Sequence, residues 1–172
     1  GVINDKDRYM AVTADGKAIK PAPDFYYGIT FKTTWKNWDF GFNGHGSVGN
    51  WLFNDAYASH STTNANINYN YIANFSRSVL RSGFHSTNIT AQSFSDMFLE
   101  NASFFRMDDI NLGYTFNWRK QKSTIRIALS AQNVFVLTKY SGIDPEASGE
   151  NGIDSSMWPR PRIYSLRAAI NF

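Results

Sequence analysis

The chain has 172 residues, 18% charged and 16% aromatic, with a formal net charge of +3 and no cysteine. The absent cysteine excludes disulfides, zinc–thiolate centres and thiol catalysis, and a small positive charge without any run of five basic residues does not support nucleic-acid binding. Charged content falls below the roughly 25% usual for soluble domains, yet mean hydropathy is −0.39 and no run approaches the ~18 to 20 apolar residues of a spanning helix, which leaves alternating strands, whose two faces cancel in a hydropathy average, as the means of any membrane contact.

Residues 1–23 read as a loop, with Asp15-Gly16, Pro21 and Pro23 as turn signals. The chain opens on a glycine within this loop-like stretch, so a missing targeting segment carries no information. Alternation then begins. Phe25, Tyr27, Ile29, Phe31, Thr33 and Trp35 share one face, and Tyr26, Gly28, Thr30, Lys32, Thr34 and Lys36 the other. Past Lys36-Asn37 the pattern turns back. Trp38, Phe40, Phe42, Gly44, Gly46 and Val48 lie opposite Asp39, Asn43, His45 and Ser47. Two such runs with so short a join make a β-hairpin. Trp35 and Trp38 flank its turn on the apolar face. They fit an aromatic belt at a membrane interface, and equally a cross-strand pair in a soluble sheet.

Residues 50–102 break the alternation. Asn64, Asn66, Asn68, Asn70 and Asn74 recur among small residues and tyrosines. So long a stretch without a pattern argues against a compact soluble domain and suits the outer loop of a membrane barrel. A short helix is expected within 73–81. From Phe104 alternation resumes: Ile110, Leu112, Tyr114 and Phe116 against Asp109, Asn111, Gly113 and Thr115. After a polar turn at 117–123, Ile125, Ile127, Leu129 and Ala131 face away from Arg126, Ala128, Ser130 and Gln132. Residues 137–160 form a second long loop. In the last segment Tyr164, Leu166, Ala168, Ile170 and Phe172 share one face.

The chain thus reads as all-β, with strands at about 24–36, 37–49, 103–117, 123–135 and 161–172. Its connections alternate short, long, short, long, as in outer-membrane barrels, with short periplasmic turns and extracellular loops at 1–23, 50–102 and 137–160. Five strands are too few to close a barrel, for which about eight is the practical minimum. Open edges expose backbone groups that hydrocarbon does not tolerate. The expectation is therefore an antiparallel transmembrane β-barrel fragment, with the remaining strands elsewhere. The rival reading is a soluble, secreted β-sandwich adhesin or carbohydrate-binding module.

Three blocks carry a family likeness: NASFFRMDDINLGYTF at 101–116, AQNVFVLTKYSGIDPE at 131–146 and WPRPRIYSLRAAINF at 158–172. With PAPDFYYG at 21–28 they resemble the C-terminal signature of the SusC/RagA-type TonB-dependent outer-membrane transporters of the Bacteroidetes. Arg167 departs from it, since a small residue is usual there. The resemblance implies the C-terminal part of a larger barrel, of 22 strands in that family. It implies a terminal strand read by the assembly machinery, a plug, energy delivered through TonB, and a SusD-like surface lipoprotein as lid. The implied activity is outer-membrane import of an oligomeric nutrient, an oligosaccharide or a peptide, and not enzymatic catalysis. The implied surroundings are the remainder of the barrel and plug, and outer-membrane lipid.

Candidate sites are few. The stretch from Gly1 to Arg8 resembles the second half of a calcium loop, with Asp5 and Asp7 as carboxylates and Gly1 as its turn glycine. Ca2+ is thus a candidate ion for the intact protein, and an acidic surface loop is the alternative. The loop aromatics Trp51, Tyr57, Tyr69, Tyr71 and Trp158 suit stacking on sugar rings or on a partner, or packing among themselves. His60 and His85 lack carboxylates at ligand spacing, and His45 is expected on the polar face as a hydrogen-bonding group. No catalytic combination of serine, histidine and acid has context. Arg160 and Arg162 in MWPRPR are available for carboxylates or lipid headgroups.

Overall fold

The structure is a computed structural model and describes residues 16, 19–61, 77, 96–118, 123–146, 152–154 and 158–171. The chain divides into two compact units. The strand unit takes residues 25–48, 104–138 and 160–172. The connection unit takes residues 1–24, 49–103 and 139–159.

The strand unit is one antiparallel sheet of five strands. They are β1 (Phe25–Trp35), β2 (Trp38–Val48), β5 (Phe104–Trp118), β6 (Ser123–Thr138) and β8 (Ile163–Asn171), in the order β1-β2-β5-β6-β8. Period-two alternation gives the sheet its two faces, because strands pair edge to edge and the register lines like side chains up on one side. The register lines Phe40, Leu112, Leu129 and Leu166 into one apolar row across four strands. A second row is Phe31, Phe42, Ile110, Ala131 and Tyr164. The first hairpin turns at Lys36, whose φ of 55° is left-handed. Its ammonium lies 4.8 Å from the Trp35 ring centroid, a cation–π contact that offsets part of the backbone cost.

Two bulges interrupt the ladders at one level. Asp108 is an extra residue of β5, between Met107 opposite Gly44 and Asp109 opposite Asn43. In β6, Asn133 and Val134 stand between Gln132, opposite Asp109, and Phe135, opposite Met107. Asn133 takes the left-handed φ of 51°, which asparagine tolerates better than most residues. The bulge switches the apolar series of β5 from Phe105 and Met107 to Ile110, Leu112, Tyr114 and Phe116. The sequence carries that slip as a three-residue step where two is the rule.

The connection unit has a three-stranded sheet of β4 (Leu99–Asn101), β3 (Trp51–Asn54) and β7 (Ile153–Asp154). β3 pairs antiparallel with β4 and parallel with β7. Helix α1 (Asp55–His60) follows β3 directly. Asn54 caps it, its side-chain oxygen accepting from the Tyr57 N–H at 2.9 Å. A 3-10 turn at Asp96–Phe98 leads into β4. Leu52, Ala102 and Tyr140 form one buried cluster, and Ala58 with Phe98 another, against which Phe53 and Tyr57 pack. Stretches that read as loops therefore hold structure, in strands of four, three and two residues. Elements so short show no periodicity. The helix expected within 73–81 lies outside the described residues except at Arg77, which is helical.

Candidate functional site

The strand unit presents two unlike faces. On the apolar face the large side chains stand open: Leu166 is 72% exposed and Leu129 57%. No charged residue of β1, β2, β5, β6 or β8 belongs to that face's series. Its rings gather in three groups, of which Phe31, Phe40 and Phe42, with centroids 5.4 to 6.4 Å apart, form the middle one. Near the hairpin turn Trp38 meets Tyr114 edge-on at 4.7 Å, and Tyr114 meets Phe116 at 4.6 Å. Toward the long connections run Phe25, Tyr27, Phe105 and Phe135, at successive centroid distances of 6.2, 6.2 and 6.3 Å. β2 contributes Gly44 and Gly46 there. A Cβ on Gly46 would fall 2.5 Å from the Tyr27 ring, so this glycine lets rings of the adjoining strands close over it. Trp38, Leu112, Tyr114, Phe116, Ile127 and Leu129 line a shallow apolar groove. In water each exposed apolar Å² forgoes about 25 cal/mol, and in hydrocarbon that loss disappears. An aromatic-edged apolar band is the exterior of a membrane barrel strand.

The opposite face is polar and internally bonded. Arg126 of β6 reaches across β5 to Asp39 of β2 and donates from Nε at 2.9 Å and from Nη2 to the second oxygen. Gly113 lies beneath the pair, and a Cβ there would stand 2.4 Å from the Asp39 carboxylate. Higher up, His45 Nδ1 lies 2.6 Å from Asp108 Oδ2, with the imidazole edge-on to Phe104 at 5.5 Å. The bulge thus aims Asp108 at a histidine that a regular strand would leave to Arg106. Arg106, buried at 3% exposure, donates from Nη1 to Asn133 Oδ1 at 2.7 Å. Asn133 Nδ2 in turn donates to the carbonyl of Arg160 at 2.6 Å and to that of Pro161 at 3.4 Å. One hydrogen-bond chain therefore ties residues of all three signature blocks.

The connection unit holds a second polar knot. Asn54 Nδ2 donates to Glu100 Oε1 and to Ser141 Oγ at 3.1 and 3.2 Å. Ser141 donates from its N–H and its hydroxyl to Glu100, both at 2.7 Å. The Tyr140 hydroxyl donates to Asp154 Oδ2 at 2.7 Å, with Asp154 fully buried. Burial first, and the Asp154 carboxylate second, push the Tyr140 phenol well above the ordinary tyrosine range. The TKYSG block is thus a clamp joining β3, β4 and β7, not an open binding surface.

The stacking aromatics separate. Trp51 is half-buried in β3, its N–H donating to the Lys20 carbonyl at 2.9 Å. Tyr57 packs edge-on against Phe98 at 5.3 Å. Trp158 is 94% exposed. Among the described residues no ring contact joins these three. Tyr69, Tyr71, His85, Asp5 and Asp7 lie outside the described residues, and of His60 only the backbone is described. The sequence reading passed over Asp108, Asn133, Asn54 and Glu100. Only Asp108 left a signal, in the broken parity around it.

An antiparallel sheet with an exposed, charge-free apolar face and a hydrogen-bonded polar face defines a segment of transmembrane β-barrel. No protein-family model matches the chain. It is similar to the TonB-dependent receptor SusC of Bacteroides thetaiotaomicron, at 32% identity over the whole chain and 17% of the relative. It is also similar to the TonB-dependent receptor P3 of Formosa agariphila, at 25% identity over 93% of the chain and 18% of the relative. The RagAB peptide transporter structure shares its fold, with a TM-score of 0.63 and 23% identity over 92% of the chain and 18% of that chain. The RagAB peptide importer in its "closed-closed" state superposes at a TM-score of 0.61, with 22% identity over 92% of the chain and 20% of that chain. Over its whole length the chain fits the C-terminal part of a SusC-like TonB-dependent receptor. It spans about a sixth of the length of the curated relatives it matches. Those relatives are receptors, not enzymes.

Proposed function

We propose that this chain supplies barrel strands and outer loops to a TonB-dependent importer in the bacterial outer membrane. The observation that carries the reading is the two-faced sheet. Its apolar face suits lipid, and its polar face, already paired within itself, suits a lumen holding a plug. The two open edges of the described sheet require further strands, because hydrocarbon leaves no unpaired backbone group satisfied. The nutrient is oligomeric, an oligosaccharide as the SusC likeness suggests or a peptide as the RagAB likeness suggests. A SusD-like lipoprotein serves as lid, with Trp51, Tyr57, Tyr69, Tyr71 and Trp158 as candidate contacts for ligand or lid. Exposure favours Trp158 among these, whereas the Tyr57 ring packs on its own unit's core. Ca2+ at Asp5 and Asp7 belongs to the intact loop that includes them.

The test uses the full-length protein in its native membrane. Deleting the gene should abolish uptake of one class among labelled oligosaccharides and peptides, and a copy lacking the TonB-contacting segment should not restore it. Unchanged uptake of every class refutes the importer reading. Affinity capture should recover a surface lipoprotein, and calcium titration of the whole protein should be blunted by Asp7→Asn.

A further inference from the structure

The apolar face is free of charge along every strand, yet its series in β8 is headed by a cation. Tyr164, Leu166, Ala168 and Ile170 share that face because they oppose Ala131, Leu129, Ile127 and Ile125. Arg162 is the next residue back in the same alternation, one position before the ladder starts at Ile163. It is exposed, and among the described residues it makes no ion pair. Its backbone is placed firmly, since Asn133 of β6 donates to the carbonyls of Arg160 and Pro161 immediately before it. Pro161 also fixes the local φ near −65° and so stiffens the approach. Tyr164, the next residue of the series, is itself exposed.

We infer that Arg162 is a docking point for the phosphate of a membrane lipid headgroup at the rim of the apolar band. The inference rests on the barrel reading given above. A charge on a lipid-facing series is tolerated only at headgroup depth, where a long side chain reaches water and anions. Tyrosine favours the same depth, with its ring in the acyl boundary and its hydroxyl outward. Guanidinium is the side chain whose planar fork matches phosphate oxygens two at a time. No carboxylate belongs to the apolar series of any of the five strands, so nothing on that face competes for the cation. The partner is therefore a phosphorylated lipid, not a soluble anion arriving through the lumen.

The experiment reconstitutes the full-length transporter into phosphatidylethanolamine bilayers doped with lipid A, either phosphorylated or enzymatically dephosphorylated. Lipid retained after gentle extraction is counted by native mass spectrometry. The unaltered protein should retain the phosphorylated form preferentially. Arg162→Gln should lose about five-fold in that preference, the effect of one basic residue near a charged bilayer surface. Arg162→Lys, which keeps the charge and loses the fork, should lose a smaller part of that preference, and reads the effect even where the glutamine variant folds poorly. Resistance of the barrel to SDS at room temperature reports folding for each variant. Equal retention of the two lipids, or an Arg162→Gln variant that matches the unaltered protein, overturns the inference and leaves the barrel reading standing. Failure of the unaltered protein to enter bilayers in folded form removes the barrel reading and this inference with it.

Discussion

In the strand unit Leu129 and Leu166 lie open, whereas in the connection unit Leu52 and Phe98 have no exposed surface at all. The two units draw on the same residue types and deploy them oppositely. A water-facing fold hides leucine and phenylalanine, as the connection unit does around Leu52, Ala102, Tyr140 and Phe98. The strand unit instead places its polar pairs, Asp39–Arg126 and His45–Asp108, on one face and leaves the other to the solvent. That is sensible only where the solvent is lipid. The comparison teaches that one chain is built for two media. The expected effect of a substitution depends on which unit receives it.

The largest effect is expected where the connection unit is most tightly packed. Phe98→Ala removes a fully buried ring that meets Phe53 and Tyr57 edge-on. It should destabilise that unit by about 3–5 kcal/mol. Hydrogen exchange in the full-length protein should show faster exchange at residues 51–60 and 96–102, while SDS resistance of the barrel is retained. An exchange pattern unchanged in those segments would break the contrast between the units.

Next comes the strand unit's apolar face. Leu129→Arg places a charge in the middle of the Phe40–Leu112–Leu129–Leu166 row. Reversible unfolding from bilayers in guanidinium should register a loss of about 2–4 kcal/mol, the value for a midplane cation. On a soluble sheet the same change at an exposed leucine would be neutral or would improve solubility. A neutral result in bilayers would therefore restore the soluble-sandwich reading.

An intermediate effect belongs to Tyr140. Its phenol stays neutral in the folded unit because burial and the Asp154 carboxylate oppose ionisation. In the unfolded chain it ionises near pH 10. The folded state then holds the extra proton above that pH. The contribution is fully present below about pH 10, and stability falls as pH rises, by about 1.4 kcal/mol per unit. Alkaline unfolding of the connection unit, followed by exchange or by tyrosinate absorbance, should show that slope. Tyr140→Phe should abolish the slope and weaken the unit by about 1–3 kcal/mol at neutral pH, because fully buried Asp154 loses a donor.

How much of this was legible beforehand divides along the same line. The five long strands announce themselves through alternation such as Phe25 to Trp35 and Ile125 to Ala131, because a two-faced strand writes its environment into every second residue. The rows and the hairpin at Lys36-Asn37 follow from that pattern. The bulge at Asp108 shows as a slip of parity between Met107 and Ile110. The left-handed turn at Asn133 shows as nothing, since asparagine is at home in many conformations. The small sheet of β3, β4 and β7 was opaque for a different reason. Strands of two to four residues have no period, and β7 pairs with β3 across some hundred residues of chain. Tyr140, Ser141 and Glu100 read as a family block or as loop polars. Their bonding became visible only once three distant segments were brought together.

The smallest effect is expected on the polar face of the strand unit, at Asp39–Arg126. The geometry is good, with two oxygens facing the guanidinium fork and Gly113 leaving room beneath. Both side chains nevertheless remain about a third exposed, at 29% and 37%. An ion pair so placed is worth at most about 1 kcal/mol after screening. Asp39→Asn keeps the shape and one acceptor while removing the charge. It should lower stability in bilayers by no more than that amount, and the loss should shrink further in high salt. Arg126→Gln should do the same, and the double variant should recover part of the sum, since the two act as one pair. A loss of several kcal/mol from Asp39→Asn alone would mean that water is excluded from this face in the assembled protein. The polar face would then be packed as tightly as the connection unit's core, and the contrast between the units would rest on the apolar face alone.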